Sequence, residues 1–283
     1  MKNKKLIFAI FVGVFTIVFA LLAIFVIPIR KYTFPLNKDK MNIVIVGDST
    51  FCNDLDGKNL SECLANKVDA DIYNYSIGGT TAARLNFDGE IDYYLDKFNF
   101  YNVSDIMITG NKATVLDNAR SVIFVNEQAV TNMERLAATD LSKCQILIIN
   151  YGINDYLSKV SVKSDIKNDE GTFAGALRKG IAEINGKYPD LKIIVNTVPY
   201  VHIENEKGNV KTDSKEDGIV DKYNEEIQKI AEEFDNVYCF DMEGELEINA
   251  GNYDEYHVDL VHFNEKAKEI IADSLAEFIG GLK

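Results

Sequence analysis

The chain holds three histidines in 283 residues, and one sits in Asp259-Leu-Val-His262-Phe-Asn264. A histidine titrates near neutral pH, so it can take a proton from a weak nucleophile. A carboxylate three residues earlier is near enough, in a turn, to orient the imidazole and stabilise its charged form. The partner such a base serves is a serine hydroxyl, inert until it is deprotonated. Gly47-Asp48-Ser49-Thr50 offers one directly behind an apolar run. Two further segments offer donors to a developing oxyanion. Asn74-Tyr-Ser-Ile-Gly-Gly-Thr-Thr81 has paired glycines, whose backbone can approach a ligand closely, and Gly79 is the candidate donor there. Tyr151-Gly-Ile-Asn-Asp-Tyr156 carries the Asn154 side-chain amide. Each piece alone has a plainer reading. Gly-Asp-Ser is a common helix start, paired glycines make turns, Asn154-Asp155 can cap a helix, and a lone histidine is usually structural.

The elements that must position these residues are legible as short apolar runs. Met41–Gly47 reads as a strand buried on both faces, and Asp71–Tyr75, Gln145–Asn150, Leu191–Thr197 and Asn236–Asp241 are further short runs that read as strands. Helical patterns cover Leu60–Val68, Phe173–Tyr188, Lys222–Phe234 and Asn264–Ile279. Strands alternating with helices imply a parallel sheet with right-handed crossovers. In such sheets ligands bind beyond the carboxyl ends of the strands, where three of the four motifs fall. Leu85–Leu141 breaks the alternation and reads as an insertion. It carries a small helix and, from Gly110-Asn111 between Ile106–Thr109 and Lys112–Val115, a hairpin. It either caps the site or decorates the periphery. The polar run Glu204–Asp217 reads as a solvated loop.

Together the four motifs resemble the blocks of SGNH hydrolases, the GDSL-like lipases and esterases. Ser49, Gly79, Asn154 and His262 match the residues that name that family, in family order. Gly-Asp-Ser-Thr stands where Gly-Asp-Ser-Leu is usual. The resemblance runs from Met41 to the C-terminus, outside the insertion. It implies a flavodoxin-like three-layer α/β/α sandwich with a five-stranded parallel sheet. It also implies ester hydrolysis through an acyl-enzyme, with no cofactor and no metal. The implied roles are Ser49 as nucleophile, His262 as base, Asp259 orienting it, and an oxyanion hole of Ser49, Gly79 and Asn154. Asp48 and Asp155 are expected to support the catalytic loops, and with His202 they are the candidates for lining the substrate site. His257 is read as loop.

Leu6–Ile29 is uncharged and apolar, long enough to cross a bilayer as a helix. Lys2, Lys4 and Lys5 precede it, Arg30 and Lys31 follow it, and residues 32–40 read as a linker. The run exceeds a cleaved signal's apolar core and has no small-residue cleavage site, which favours an uncleaved signal anchor over a secreted form. The expectation is a single-pass membrane protein with its catalytic domain, residues 41–283, outside the cell. The chain carries −14 overall, and the five cations before the linker belong to an acid-free stretch. Taking them from the 30 basic residues leaves 25 against 44 acidic, a net of −19, which repels nucleic acid. The four cysteines show no zinc spacing. Cys52 and Cys63 could pair outside the cell, but sequence does not fix their separation. The expected substrate is a short acyl ester, an O-acetyl group on a small molecule or polysaccharide. The alternatives are acyl transfer to a surface glycan, a lipase or lysophospholipase, and a glycan-binding protein that keeps the fold without catalysis.

Overall fold

The computed structural model describes residues 36–85, 94–111, 127–204 and 210–282. The apolar Leu6–Ile29 run and the linker's first residues lie outside that set. Among the described residues no helix is long and apolar enough to cross a membrane.

In chain order the elements are β1 (Met41–Gly47), α1 (Ser49–Cys52), α2 (Leu60–Ala65) and β2 (Ala70–Asn74). Then come α3 (Phe100–Thr109), α4 (Glu127–Ala138), β3 (Ile146–Asn150), α5 (Ile153–Leu157), α6 (Phe173–Lys187) and β4 (Lys192–Asn196). The remainder is β5 (His202–Glu204), β6 (Val210–Asp213), α7 (Ser214–Asp217), α8 (Ile219–Ala231), β7 (Val237–Phe240), α9 (Met242–Leu246) and α10 (Glu265–Gly281). Five strands form one parallel sheet in the order β2-β1-β3-β4-β7. The chain leaves β1 to build β2 on one side and returns to build β3 on the other. The crevice at the carboxyl end of β1 is therefore the topological switch point.

Side chains alternate across each strand and feed two cores. Val44, Val46, Leu147 and Ile149 pack with α3, α4, α6 and α8. Ile43, Ile45, Ile148 and Ile194 pack with α2, α9 and α10. These strand residues are at most 3 % exposed, so both faces of the sheet are covered, giving three layers.

Two local expectations are corrected. Ile106–Thr109 is not a hairpin arm but the last turn of α3, and Gly110 ends that helix in the left-handed region at φ 66°. A glycine after an apolar stretch serves a helix C-terminus as readily as a hairpin turn. The second arm, from Lys112, lies outside the described residues. Glu204–Asp217 is not a solvated loop. Its described part forms the β5–β6 antiparallel pair, with His202 opposite Asp213, followed by α7. Helix α8 starts three residues before Lys222, at Ile219. All four cysteines are free thiols, Cys52 and Cys63 included.

Candidate active site

The first motif is fixed by how closely β1 and β3 approach. A Cβ on Gly47 would stand 2.5 Å from the Asn150 carbonyl oxygen, so only glycine lets the strands meet here. Beyond it, the Asp48 N–H donates to that carbonyl at 3.0 Å. The Asp48 carboxylate then caps α1, accepting from the Thr50 N–H at 3.0 Å and from Asn150 Nδ2 at 3.2 Å. Asn150 Oδ1 in turn accepts from Asn196 Nδ2 at 2.9 Å, so a polar ladder ties the ends of β1, β3 and β4. Burial pushes Asp48 up to about 6, against the hydrogen bonds to its carboxylate. Ser49 follows as the first residue of α1. That helix is one turn long, so its dipole adds little, and an oxyanion here depends on individual donors.

The second and third motifs are locked together. After β2, the Ile77 N–H donates to the Gly47 carbonyl at 2.8 Å, which turns the chain over Ser49. Gly79 sits at φ 80°, a conformation that favours glycine. Gly78 is the residue that sequence reasoning missed: a Cβ there would lie 3.5 Å from Ser49 Cβ. Past these glycines the Ala82 and Ala83 N–H groups donate to the Asp155 carboxylate at 2.8 and 2.9 Å. Asp155 is fully buried, and desolvation raises it to about 7 despite those bonds. Beside it, Asn154 Nδ2 gives a hydrogen to the Thr80 carbonyl at 3.0 Å. An amide carries two such hydrogens, so a second donor remains on the same nitrogen.

Gly152 precedes α5 as its N-cap at φ 133°, and a Cβ there would meet Val198 Cγ2 at 2.3 Å. Gly152→Ala should therefore cost about 3 kcal/mol of stability, from backbone strain and overpacking together. Urea unfolding of the purified variant checks this.

The fourth motif comes from the loop before α10. His262 Nε2 lies 3.0 Å from Ser49 Oγ, and His262 Nδ1 lies 2.7 Å from Asp259 Oδ2. Burial alone would raise Asp259. Its bonds from the His262 ring and from the Val261 and His262 N–H groups outweigh that and hold it below the usual carboxylate range. The loop is built to keep this geometry. The Val258 N–H donates to the His262 carbonyl at 2.9 Å, the Asn264 N–H to the Tyr256 carbonyl at 2.8 Å, and the Tyr253 hydroxyl to the Leu260 carbonyl.

His257, read as loop, bridges Phe263 and stacks on Tyr253 with ring centroids 3.9 Å apart. Burial lowers it to about 4 from 6.5. The unfolded chain then takes up this proton first as pH falls below about 6.5, so stability is lost on acidification. Between pH 7 and 5 the loss is about 2 kcal/mol. His257→Phe keeps the stacking and should flatten that part of the dependence of Tm on pH.

A cleft of about 800 Å³ opens over Ser49 and His262. Helix α4, from the segment expected to be an insertion, forms one wall through Gln128, Ala129 and Asn132. Three expectations about lining are corrected. Asp48 and Asp155 are buried behind the loops, as their support role requires. His202 points into a polar cluster, its ring nitrogens 3.0 Å from Asp213 Oδ2 and 3.0 Å from Glu204 Oε1. None of the three lines the cleft.

Comparison with known proteins places the chain in a family and shows its fold in solved structures. The model of the GDSL-like Lipase/Acylhydrolase family matches residues 43–275. No curated protein matches the chain significantly. Among solved structures, one described as a GDSL-like lipase from Parabacteroides merdae aligns with TM-score 0.51 at 17% identity, covering 88% of this chain and 99% of that one. A member of the lipolytic protein G-D-S-L family from Veillonella parvula aligns with TM-score 0.51 at 16% identity, covering 86% and 100%. A carbohydrate esterase family 2 enzyme with a carbohydrate-binding domain, from Myceliophthora fergusii, aligns with TM-score 0.51 at 17% identity, covering 88% and 67%. At these identities the structural likeness shows the shared fold, while the family model spans most of the chain. The chain belongs to the GDSL-like lipase/acylhydrolase family and is an ester hydrolase.

Proposed function

We propose that the chain hydrolyses short acyl esters, above all O-acetyl groups on carbohydrate, with Ser49 as nucleophile. The observation that carries this is the continuous relay from Ser49 Oγ through His262 to Asp259. His262 Nε2 takes the Ser49 proton as Oγ attacks the acyl carbonyl. The oxyanion is held by the Ser49 and Gly79 N–H groups and the Asn154 amide. His262 returns the proton to the leaving alcohol as the carbon–oxygen bond breaks. Water then attacks the acyl-enzyme, gives its proton to His262, and releases the acid and Ser49. Asp259 stays ionised throughout and stabilises the imidazolium.

Two features support the acetyl-carbohydrate part. Most of the residues that line the cleft carry an amide, hydroxyl or carboxylate side chain. One structural neighbour is a carbohydrate esterase. A series of p-nitrophenyl esters tests the acyl part: acetate should turn over fastest, and octanoate fastest would overturn it. For location, we infer a single-pass anchor at Leu6–Ile29 with the hydrolase outside, supported by the length and apolarity of that run. Protease added to intact cells should remove the catalytic domain, and protection would reverse the orientation.

A further inference from the structure

Ser76 is 3 % exposed. Its N–H donates to Asn74 Oδ1 at 3.0 Å and its carbonyl accepts from Asn132 Nδ2 at 3.1 Å. Among the described residues its hydroxyl has no partner, although it lines the cleft two residues from the glycine packed on Ser49. A buried hydroxyl is normally paired, so an orphan one at the wall of a site calls for a ligand. Asn132 is a second anomaly. Helix α4 buries Ala129, Asn132, Met133 and Leu136, and three of these four positions are apolar. An amide there is retained at a cost. Its oxygen accepts from Gln128 Nε2 at 2.9 Å, which fixes which way the amide points. One of its two amide hydrogens goes to the Ser76 carbonyl, and the other remains to give.

We propose that Ser76 and Asn132 form a subsite that reads a hydroxyl on the alcohol part of the ester, with Gln128 holding Asn132 in orientation. It rests on the esterase reading above and adds to it the alcohol that the enzyme selects. The match is chemical. A serine hydroxyl donates and accepts, an amide hydrogen donates, and a substrate hydroxyl can answer both. Ser76 is two residues from Gly78, which packs on Ser49, and Ser76, Asn132 and Ser49 line one cleft, which places the subsite beside an ester held at Ser49. Charge narrows the class further. Among the described residues, the cleft wall includes the carboxylates Asp54 and Glu62 and no lysine or arginine. A neutral polyol is therefore favoured, and a phosphorylated or uronic-acid alcohol is repelled.

The purified full-length protein is assayed on three acetates: p-nitrophenyl acetate, a mono-O-acetyl methyl glycoside, and the same glycoside lacking the hydroxyl beside the ester. Wild type should prefer the hydroxylated glycoside to its deoxy analogue by about tenfold in kcat/KM, the effect of one paired buried hydrogen bond. Ser76→Ala should collapse that ratio to about one. Asn132→Leu, of similar volume and suited to a helix, should lower it in the same direction. The subsite is overturned if wild type shows no preference, or if the ratio survives in both variants whatever happens to absolute rates. Wild type that cleaves none of the three acetates overturns the esterase reading itself, which is a separate result.

Discussion

Ser49→Ala will lower kcat/KM for p-nitrophenyl acetate by about 10⁴-fold or more while moving Tm by less than about 2 °C. The two halves have different causes. Ser49 Oγ has one hydrogen-bonding partner of consequence, His262 Nε2, so its loss removes the nucleophile and disturbs little else. The fold around it is held by Gly47, the Asp48 cap and the Asn150–Asn196 ladder, none of which involves Oγ. His262→Ala should fall to a similar floor, and the double variant should fall no further. Residues that act as a unit are not additive, and that floor is what binding and the oxyanion donors still supply. A steady-state assay at matched protein concentration, with a thermal melt of each variant, gives both readings. A Ser49→Ala protein that keeps a tenth of wild-type activity would remove Ser49 from the chemistry.

Asn154→Ala will lower kcat by about 10²- to 10³-fold with a much smaller change in KM. The asymmetry follows from when the bond is made. A donor aimed at an oxyanion acts chiefly in the transition state, so its loss appears in kcat. One Asn154 hydrogen is committed to the Thr80 carbonyl, which fixes the direction of the other. Asn154→Asp keeps the volume but brings a negative charge to the same place, and it should be at least as damaging. A drop confined to KM would instead mark Asn154 as a ground-state binding residue. The neighbouring Asp155 cannot substitute, because it is fully buried and its carboxylate offers no N–H donor.

Much of this site was legible because strand ends are punctuated. Each of Gly47-Asp48-Ser49, Gly78-Gly79 and Gly152-Ile153-Asn154 follows a short apolar run, and each run is a strand of the one parallel sheet. The Asp259–His262 spacing was equally direct, since it depends on a local turn and not on distant packing. What stayed hidden depends on contacts that spacing does not encode. Gly110 carries the same signal for a helix end as for a hairpin, and only the packing of Ile106 and Met107 in the core decides between them. His202 follows β4 and so stood among the candidates. Its fate was set by Asp213, eleven residues on, which pairs with it across the β5–β6 ladder. Ser76 and Asn132 are ordinary residues in sequence, and they become informative only when a helix from another segment brings an amide to an unpaired hydroxyl. Lys268 gave no signal at all: it is a helix residue, 1 % exposed, whose ammonium pairs with Asp56 beneath the loop that borders the cleft.

The central claim is that Ser49, activated by His262, attacks the acyl carbon. Its most direct test is covalent capture. The purified protein is treated with a fluorophosphonate, which phosphonylates activated serine hydroxyls, and the modified peptide is sequenced by mass spectrometry. One stoichiometric adduct is expected on Ser49, absent in Ser49→Ala and formed far more slowly in His262→Ala. An adduct on another residue, or undiminished ester turnover by a protein fully modified at Ser49, would contradict it.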